Sequence, residues 1–212
     1  MTQTVWLARH GNRHDFVNPE WFNTAERRYD PPLSEDGIIQ AQELAARLKS
    51  ANIAHIFASP FLRTIQTAHK VAQLVNLPIK LEAGLSEWLN PNWMDEAPIT
   101  HPQEWLKERY PLLDLSYQTY LKPQYPETEN QLYQRTAQVI QILVKNFSED
   151  ILIVGHGGSV LGIAKGLVEQ NLTFKVPLCS LTKIVNLGNK WEINLIADIS
   201  HLSQTEKQVR LN

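Results

Sequence analysis

Twice in this chain a run of four apolar residues with no polar interruption stops at a histidine set among glycines. Val5-Trp6-Leu7-Ala8 gives way to Arg9-His10-Gly11, and Ile151-Leu152-Ile153-Val154 gives way to Gly155-His156-Gly157-Gly158. Such a run leaves no face for water, so each is expected to be a strand buried on both sides, as the interior of a parallel sheet requires. Each histidine then stands at the carboxyl end of its strand. Between and around these runs the periodicity changes to that of helices. Ser34 can cap a helix whose positive end is favoured by Glu35 and Asp36 and whose inner face is Ile38, Ala41, Leu44, Ala45 and Leu48.

The alternation continues along the chain. A strand is expected over 53–58. Ser59-Pro60 follows, serine as the cap and proline in the first helical position, opening a helix with Leu62, Ile65, Ala68, Ala72 and Val75 inside. A short strand at 79–81, a long helix over 128–147, and a helix over 159–168 after the 151–154 strand complete the pattern. Segments 183–187 and 191–196 alternate in polarity and join through Gly188-Asn189 as a hairpin would. The fold class that satisfies this order is α/β: a three-layer sandwich around a mainly parallel sheet with an antiparallel edge strand.

Two stretches lie outside the alternation. Residues 12–32 read as a long loop with one helical turn within 18–27. Residues 84–126 gather Trp88, Trp93, Trp105 and several prolines, and read as a cap-like insertion of loops with one short helix started by Pro102. At 212 residues, the span 1–212 is expected to be one domain carrying that insertion.

A net charge of -2 provides no field to attract phosphate along a whole face, so nucleic acid is not expected as a partner and any phosphate site must be local. The longest apolar run is far shorter than the roughly 20 residues that span a bilayer, and no secretory signal is visible. The single cysteine, Cys179, fits a reducing compartment, so the expected location is cytoplasmic. Nothing in the pattern specifies an oligomeric state.

Ligands of open α/β sheets sit beyond the carboxyl ends of the strands. Here those ends carry Arg9, His10 and Arg13, then Arg63 in the first turn of a helix, then His156 among glycines. Brought together, they suit one anion and one chemistry. Phosphate-monoester hydrolysis is exceptionally slow unassisted, and the group attacked is already negative. Arg9, Arg13 and Arg63 are the expected clamp, because a guanidinium stays charged and binds phosphate oxygens bidentately. N–H groups of a helix starting near Gly157 would add to it.

His10 is the nucleophile candidate, one ring nitrogen attacking while a backbone carbonyl holds the other, with Gly11 leaving room for the phosphoryl group. His156, if protonated, would bond phosphoryl oxygens in the transition state. Glu87 is the candidate acid for the leaving group, its pKa raised by the water-excluding Trp88.

Arg9-His10-Gly11, the helix start Pro31-Pro32-Leu33-Ser34-Glu35-Asp36-Gly37, the segment Ser59-Pro60-Phe61-Leu62-Arg63-Thr64, Glu87 and Gly155-His156-Gly157 resemble, in this order, the motifs of the histidine phosphatase superfamily, also called phosphoglycerate-mutase-like. The resemblance runs from about residue 4 to residue 202. It implies a phosphohistidine on His10, phosphate contacts from Arg9, Arg63 and His156, and acid catalysis by Glu87, with a small phosphorylated substrate and no cofactor. Arg13 with Leu85-Ser86-Glu87-Trp88 and Pro91-Asn92-Trp93 is similar to the branch of the suppressor-of-T-cell-receptor-signalling phosphatases and ecdysteroid-phosphate phosphatase, where the matching arginine also touches phosphate. Asn12 departs from the usual glutamate, and the residues after Gly11 depart from the pattern of glycolytic mutases.

Plainer roles stay open for several residues. Arg13 would pair with Asp15 or Asp30 on the surface, Glu87 would be an exposed loop carboxylate, and the tryptophans would only pack the cap. His10 and His14 are spaced like a metal pair, yet they follow a strand end and no matching carboxylate and histidine set accompanies them, so no metal is expected. Beside the expected metal-independent, histidine-acid-type phosphomonoester hydrolase stand two alternatives, a mutase-type phosphoryl transferase and a catalytically idle protein that binds a phosphorylated ligand.

Overall fold

The computed structural model describes residues 2–168 and 171–203. Among the described residues six strands form one sheet: β1 (Thr4–Arg9), β2 (His55–Ala58), β3 (Ile79–Leu81), β4 (Ile151–Gly155), β5 (Leu181–Asn186) and β6 (Trp191–Asp198), in the order β3-β2-β4-β1-β5-β6. The first four are parallel, with Leu7 opposite Ile153 and Phe57 opposite Ile153 on its other side. β5 runs antiparallel to β1 and β6 antiparallel to β5, so β5 alone is reversed and the expected edge strand is a two-stranded ribbon, turned at Gly188 with a positive φ of 93°.

Alternation along each strand assigns its side chains to two cores. Trp6, Ala8, Ile56, Ala58, Leu152 and Val154 face α3 (Glu35–Leu48) and α4 (Leu62–Val75), and Val5, Leu7, Phe57, Ile151 and Ile153 face α6 (Glu129–Asn146) and α7 (Gly157–Val168). A run apolar at every position therefore serves both layers of helix. That is the three-layer sandwich the sequence implies.

The helix starts reflect the local chemistry. Ser34 accepts from the Gly37 N–H at 3.2 Å, and Thr128 and Gln131 close a reciprocal capping box on α6. α4 differs from expectation: it begins at Leu62, and Ser59 does not cap it. The acceptor comes from a distant segment, the Asp30 carboxylate taking the Leu62 N–H at 2.7 Å, which frees the Ser59 hydroxyl to meet His156 at 2.9 Å.

The 12–32 stretch contains two helical turns, α1 (His14–Val17) and α2 (Trp21–Thr24), where one was expected within 18–27. Within 84–126 there is the short helix α5 (Gln103–Arg109), preceded by Pro102, and Leu113 bridges to Ile79 at the sheet edge. No described helix is long and apolar enough to cross a membrane.

Candidate active site

β1, β4 and the start of α4 end at one place, and the residues they carry meet there. His10 and His156 have ring centroids 5.3 Å apart. Arg63 Nη2 lies 3.2 Å from His156 Nδ1 and 3.4 Å from the Glu87 carboxylate, and that carboxylate is 3.2 Å from His156 Nδ1. All four side chains are buried. Residues separated by up to 146 positions thus converge on one cluster, as the strand-end argument requires.

His10 is held for a single role. Its Nδ1 is 2.8 Å from the Gly11 carbonyl, which can only accept, so the proton belongs on Nδ1 and the lone pair on Nε2. Among the described residues, Nε2 finds no hydrogen-bond partner. Burial, then the positive charges of Arg63 and Arg9, hold the imidazole well below its usual pKa of 6.5, and the ring is neutral.

Gly11 does something other than expected. A Cβ there would lie 2.6 Å from the Gly37 carbonyl, so the missing side chain admits the first turn of α3 rather than a ligand. Asn12 fastens the same contact. Its Nδ2 donates to Asp36 at 2.7 Å and its N–H donates to Gln40 at 2.8 Å. A glutamate in place of Asn12 would set two carboxylates against each other, so the amide suits this neighbour.

Arg9 donates from Nη1 to the Val176 carbonyl at 2.8 Å, and its guanidinium lies beneath Gly157 at the start of α7. Arg13 makes a buried fork onto Asp15, 2.9 and 2.5 Å, and stacks over Phe16. The pairing with Asp15 exists, but inside the site rather than on the surface; Asp30 is instead taken up by Leu62 and lies 4.0 Å from Arg63. Burial and the charge of Arg13 lower Arg63 to about 10, leaving it cationic at neutral pH.

Glu87 is neither an exposed loop carboxylate nor raised in pKa. Desolvation pushes it up, but His156, which is cationic in the acid range where Glu87 titrates and also hydrogen-bonds it, and Arg63 outweigh burial and hold the carboxyl well below its ordinary value. The backbone N–H of Trp88 donates to Oε1 at 3.0 Å, a bond that also favours the anion. His156 in turn is lowered to about 4, burial exceeding the pull of Glu87, and is neutral rather than protonated. A carboxylate at Nδ1 favours the tautomer with N–H there, which leaves Nε2 to accept from Ser59.

His10, Glu87 and His156 present ligand atoms within 4.8 Å of one another, a set that the His10 and His14 spacing did not suggest. The Arg63 guanidinium touches two of them, Glu87 and His156, and a divalent ion would have to share the site with that cation. His14 is elsewhere, 3.1 Å from Asn18 and edge-on to Trp21.

Arg135 was not legible as a site residue. It sits on the inner stripe of α6, between Leu132 and Val139, where a cation ordinarily cannot stay. It forks onto Glu127 at 2.8 and 2.7 Å and donates to the carbonyls of Gly84, Ser86 and Glu87. One charged side chain thereby fixes the backbone that carries Glu87. The available signal was its phase, an arginine on an otherwise apolar face.

Two cavities adjoin the cluster. One of about 250 Å³ is bounded by Arg13, Arg63, Phe22, Tyr29 and Met94, and one of about 700 Å³ by Trp88, Tyr133, Gly157, Lys165, Phe174 and Lys175. Glu87 and Trp93 line both, and His10 lines neither. Trp88 and Trp93 meet edge to face at 5.0 Å, whereas Trp105 stacks on His101 away from the site.

Comparison with known proteins gives the same direction. The histidine phosphatase superfamily (branch 1) matches residues 5–199. The probable phosphoglycerate mutase GpmB of Proteus mirabilis is 30% identical over 217 residues, covering 94% of each chain. The ecdysteroid-phosphate phosphatase of Drosophila melanogaster is 25% identical over 241 residues, covering 89% of this chain and 31% of its own. The chain spans less than half the length of the first curated relatives it matches, 41% and 31%. Among solved structures, the ecdysone phosphate phosphatase of Bombix mori in complex with tungstate has a TM-score of 0.79 at 21% identity, covering 99% of this chain and 98% of that one.

Proposed function

Because this chain belongs to the histidine phosphatase superfamily, we propose that it hydrolyses phosphomonoesters in two steps through a phosphohistidine on Nε2 of His10. The observation that carries this reading is the state of His10: neutral, buried, its Nδ1 proton held by Gly11 and its Nε2 lone pair uncommitted among the described residues. A neutral imidazole pointing an unused nitrogen into a cluster of cations has a chemical use if phosphorus arrives there.

In the first step the Nε2 pair forms the bond to phosphorus, and the ester P–O bond breaks with its electrons on the leaving oxygen. Glu87 gives that oxygen a proton. In the second step water attacks phosphorus, the P–N bond breaks back to Nε2, and the water proton returns to Glu87, releasing phosphate. Arg9, Arg13 and Arg63 are assigned to the phosphoryl oxygens, with His156 bonding them once protonated.

Glu87 is ionised before substrate arrives, and this shapes the first step. A phosphate dianion placed beside it raises its pKa, and that of His156, by adding negative charge at close range. The proton is therefore recruited with the substrate. The Arg63 to Glu87 contact, 3.4 Å, is long enough to yield to a phosphoryl oxygen.

We assign 84–126 to a cap that shapes the substrate side, with Trp88 and Trp93 on the cavity walls as support. The finer assignments, metal-independent histidine-acid-type chemistry on a small phosphorylated substrate in the cytoplasm, belong to the same proposal.

The test is a screen of phosphorylated metabolites, sugars and phosphopeptides with wild type and His10→Ala in parallel, with and without chelator. Turnover that disappears in the variant and ignores the chelator is expected, together with acid-labile, alkali-stable label on the wild-type protein. Full activity in His10→Ala ends the reading. The likeness to GpmB favours a second reading, transfer of the phosphoryl group to another hydroxyl; isomerised product from phosphoglycerates would support it over hydrolysis.

A further inference from the structure

We propose that the 700 Å³ groove beside Glu87 is the leaving-group site, and that it takes a flat apolar or aromatic alcohol bearing a second acidic group at its far end. This rests on the phosphatase reading and specifies its substrate class.

The groove begins at the acid. Glu87 is shared with the smaller cavity that holds Arg13 and Arg63, so the carboxyl stands at the boundary between an arginine-rich pocket and the groove. An ester oxygen protonated there would have its phosphoryl group on the arginine side and its carbon skeleton on the other. The walls on that side are Trp88, Trp93, Tyr133 and Phe174, flat surfaces that favour a flat partner. The Tyr133 hydroxyl donates to Glu129 at 2.8 Å and is pushed up to about 12 by burial and that carboxylate, so it adds no charge of its own.

Two ammonium groups, Lys165 and Lys175, also line the groove. Lys165 lies 4.1 Å above the Tyr133 ring, and neither lysine is paired with a carboxylate among the described residues. Apart from Glu87, the acidic residue on the wall is Glu129, which is engaged with Tyr133. A wall that is aromatic along its length and carries two ammonium groups, neither in an ion pair with a described carboxylate, fits a ligand with an apolar body and an anionic end.

The experiment uses two pairs of aryl monophosphates, phenyl and naphthyl, each with a distal carboxylate or the uncharged carboxamide of the same shape. In wild type, kcat/KM should favour the carboxylate over the carboxamide on the naphthyl frame by about two- to fivefold, the effect of one solvent-screened charge contact. Lys165→Met and Lys175→Met should each move that ratio toward one, and the double variant should reach it. Comparing ratios between proteins cancels the electronic effect of the substituent on the leaving group. No preference in wild type, or one that survives the double variant, overturns the groove assignment. Phenyl phosphate with His10→Ala judges the phosphatase reading separately. Should turnover be absent altogether, calorimetric binding of the matching non-hydrolysable phosphonates reads the same ratio.

Discussion

At the scale of single residues, the site is a set of groups kept out of their ordinary ionisation. Glu87 protonates a leaving group only where that group needs it. Glu87→Gln should therefore lower kcat on alkyl phosphates by about 10²–10⁴-fold and on p-nitrophenyl phosphate by far less; equal losses on the two would remove Glu87 from the acid role. Acid stability reports the histidines. His156 is lowered to about 4 and His10 well below 6.5, in both cases first by burial, so the stability they contribute is present above pH 6.5 and is lost as pH falls below it, for His156 through about 4. Asp30 has the opposite sign. Burial raises it to about 6, so its contribution is present below 3.8 and is lost as pH rises through about 6. Two histidines oppose one aspartate, and the melting temperature should fall between pH 6.5 and 4. In His156→Gln that fall should be visibly shallower, by circular dichroism melts across the range; an unchanged slope would mean that the buried histidine does not govern it.

At the scale of elements, one helix holds the acid in place from below. Arg135 on α6 grips three carbonyls of the 84–87 turn and both oxygens of Glu127. Arg135→Met leaves Glu127 buried and unpaired and should cost about 3–5 kcal/mol in urea unfolding. Arg135→Met with Glu127→Leu should recover most of that stability but not the turnover of alkyl phosphates, because the carbonyls stay unheld. Full recovery of turnover would make Arg135 a stability residue alone. α4 shows the same dependence on distant residues: Asp30→Ala removes the acceptor of the Leu62 N–H and should cost about 1 kcal/mol, while Ser59→Ala should leave the helix start unaffected.

At the scale of the whole molecule, the cluster exists only when the sheet is complete, since β1, β4 and the α4 start each supply part of it. Phosphate bound to such a site stabilises the folded chain by mass action, about 2.7 kcal/mol at a hundredfold excess over Kd. Raised melting temperature with phosphate should be seen in wild type and be lost in Arg63→Ala; a shift retained in that variant would place phosphate elsewhere. The elements and their layers were legible because apolar runs and helical stripes are local patterns, as at Val5-Trp6-Leu7-Ala8 and along α3. His10, Arg63, His156 and Glu87 were legible as candidates because their chemistry and strand-end positions pointed to one ligand. What the sequence by itself determined is thus the order of elements, the sides they bury and which side chains could serve an anion. Only the tertiary structure decided that Asp30 caps α4, that Gly11 makes room for α3, that Arg135 braces the Glu87 turn and that Glu87 is ionised. Each of these depends on the field or the close approach of a residue far away in the chain, and distances across the fold are not written in local periodicity.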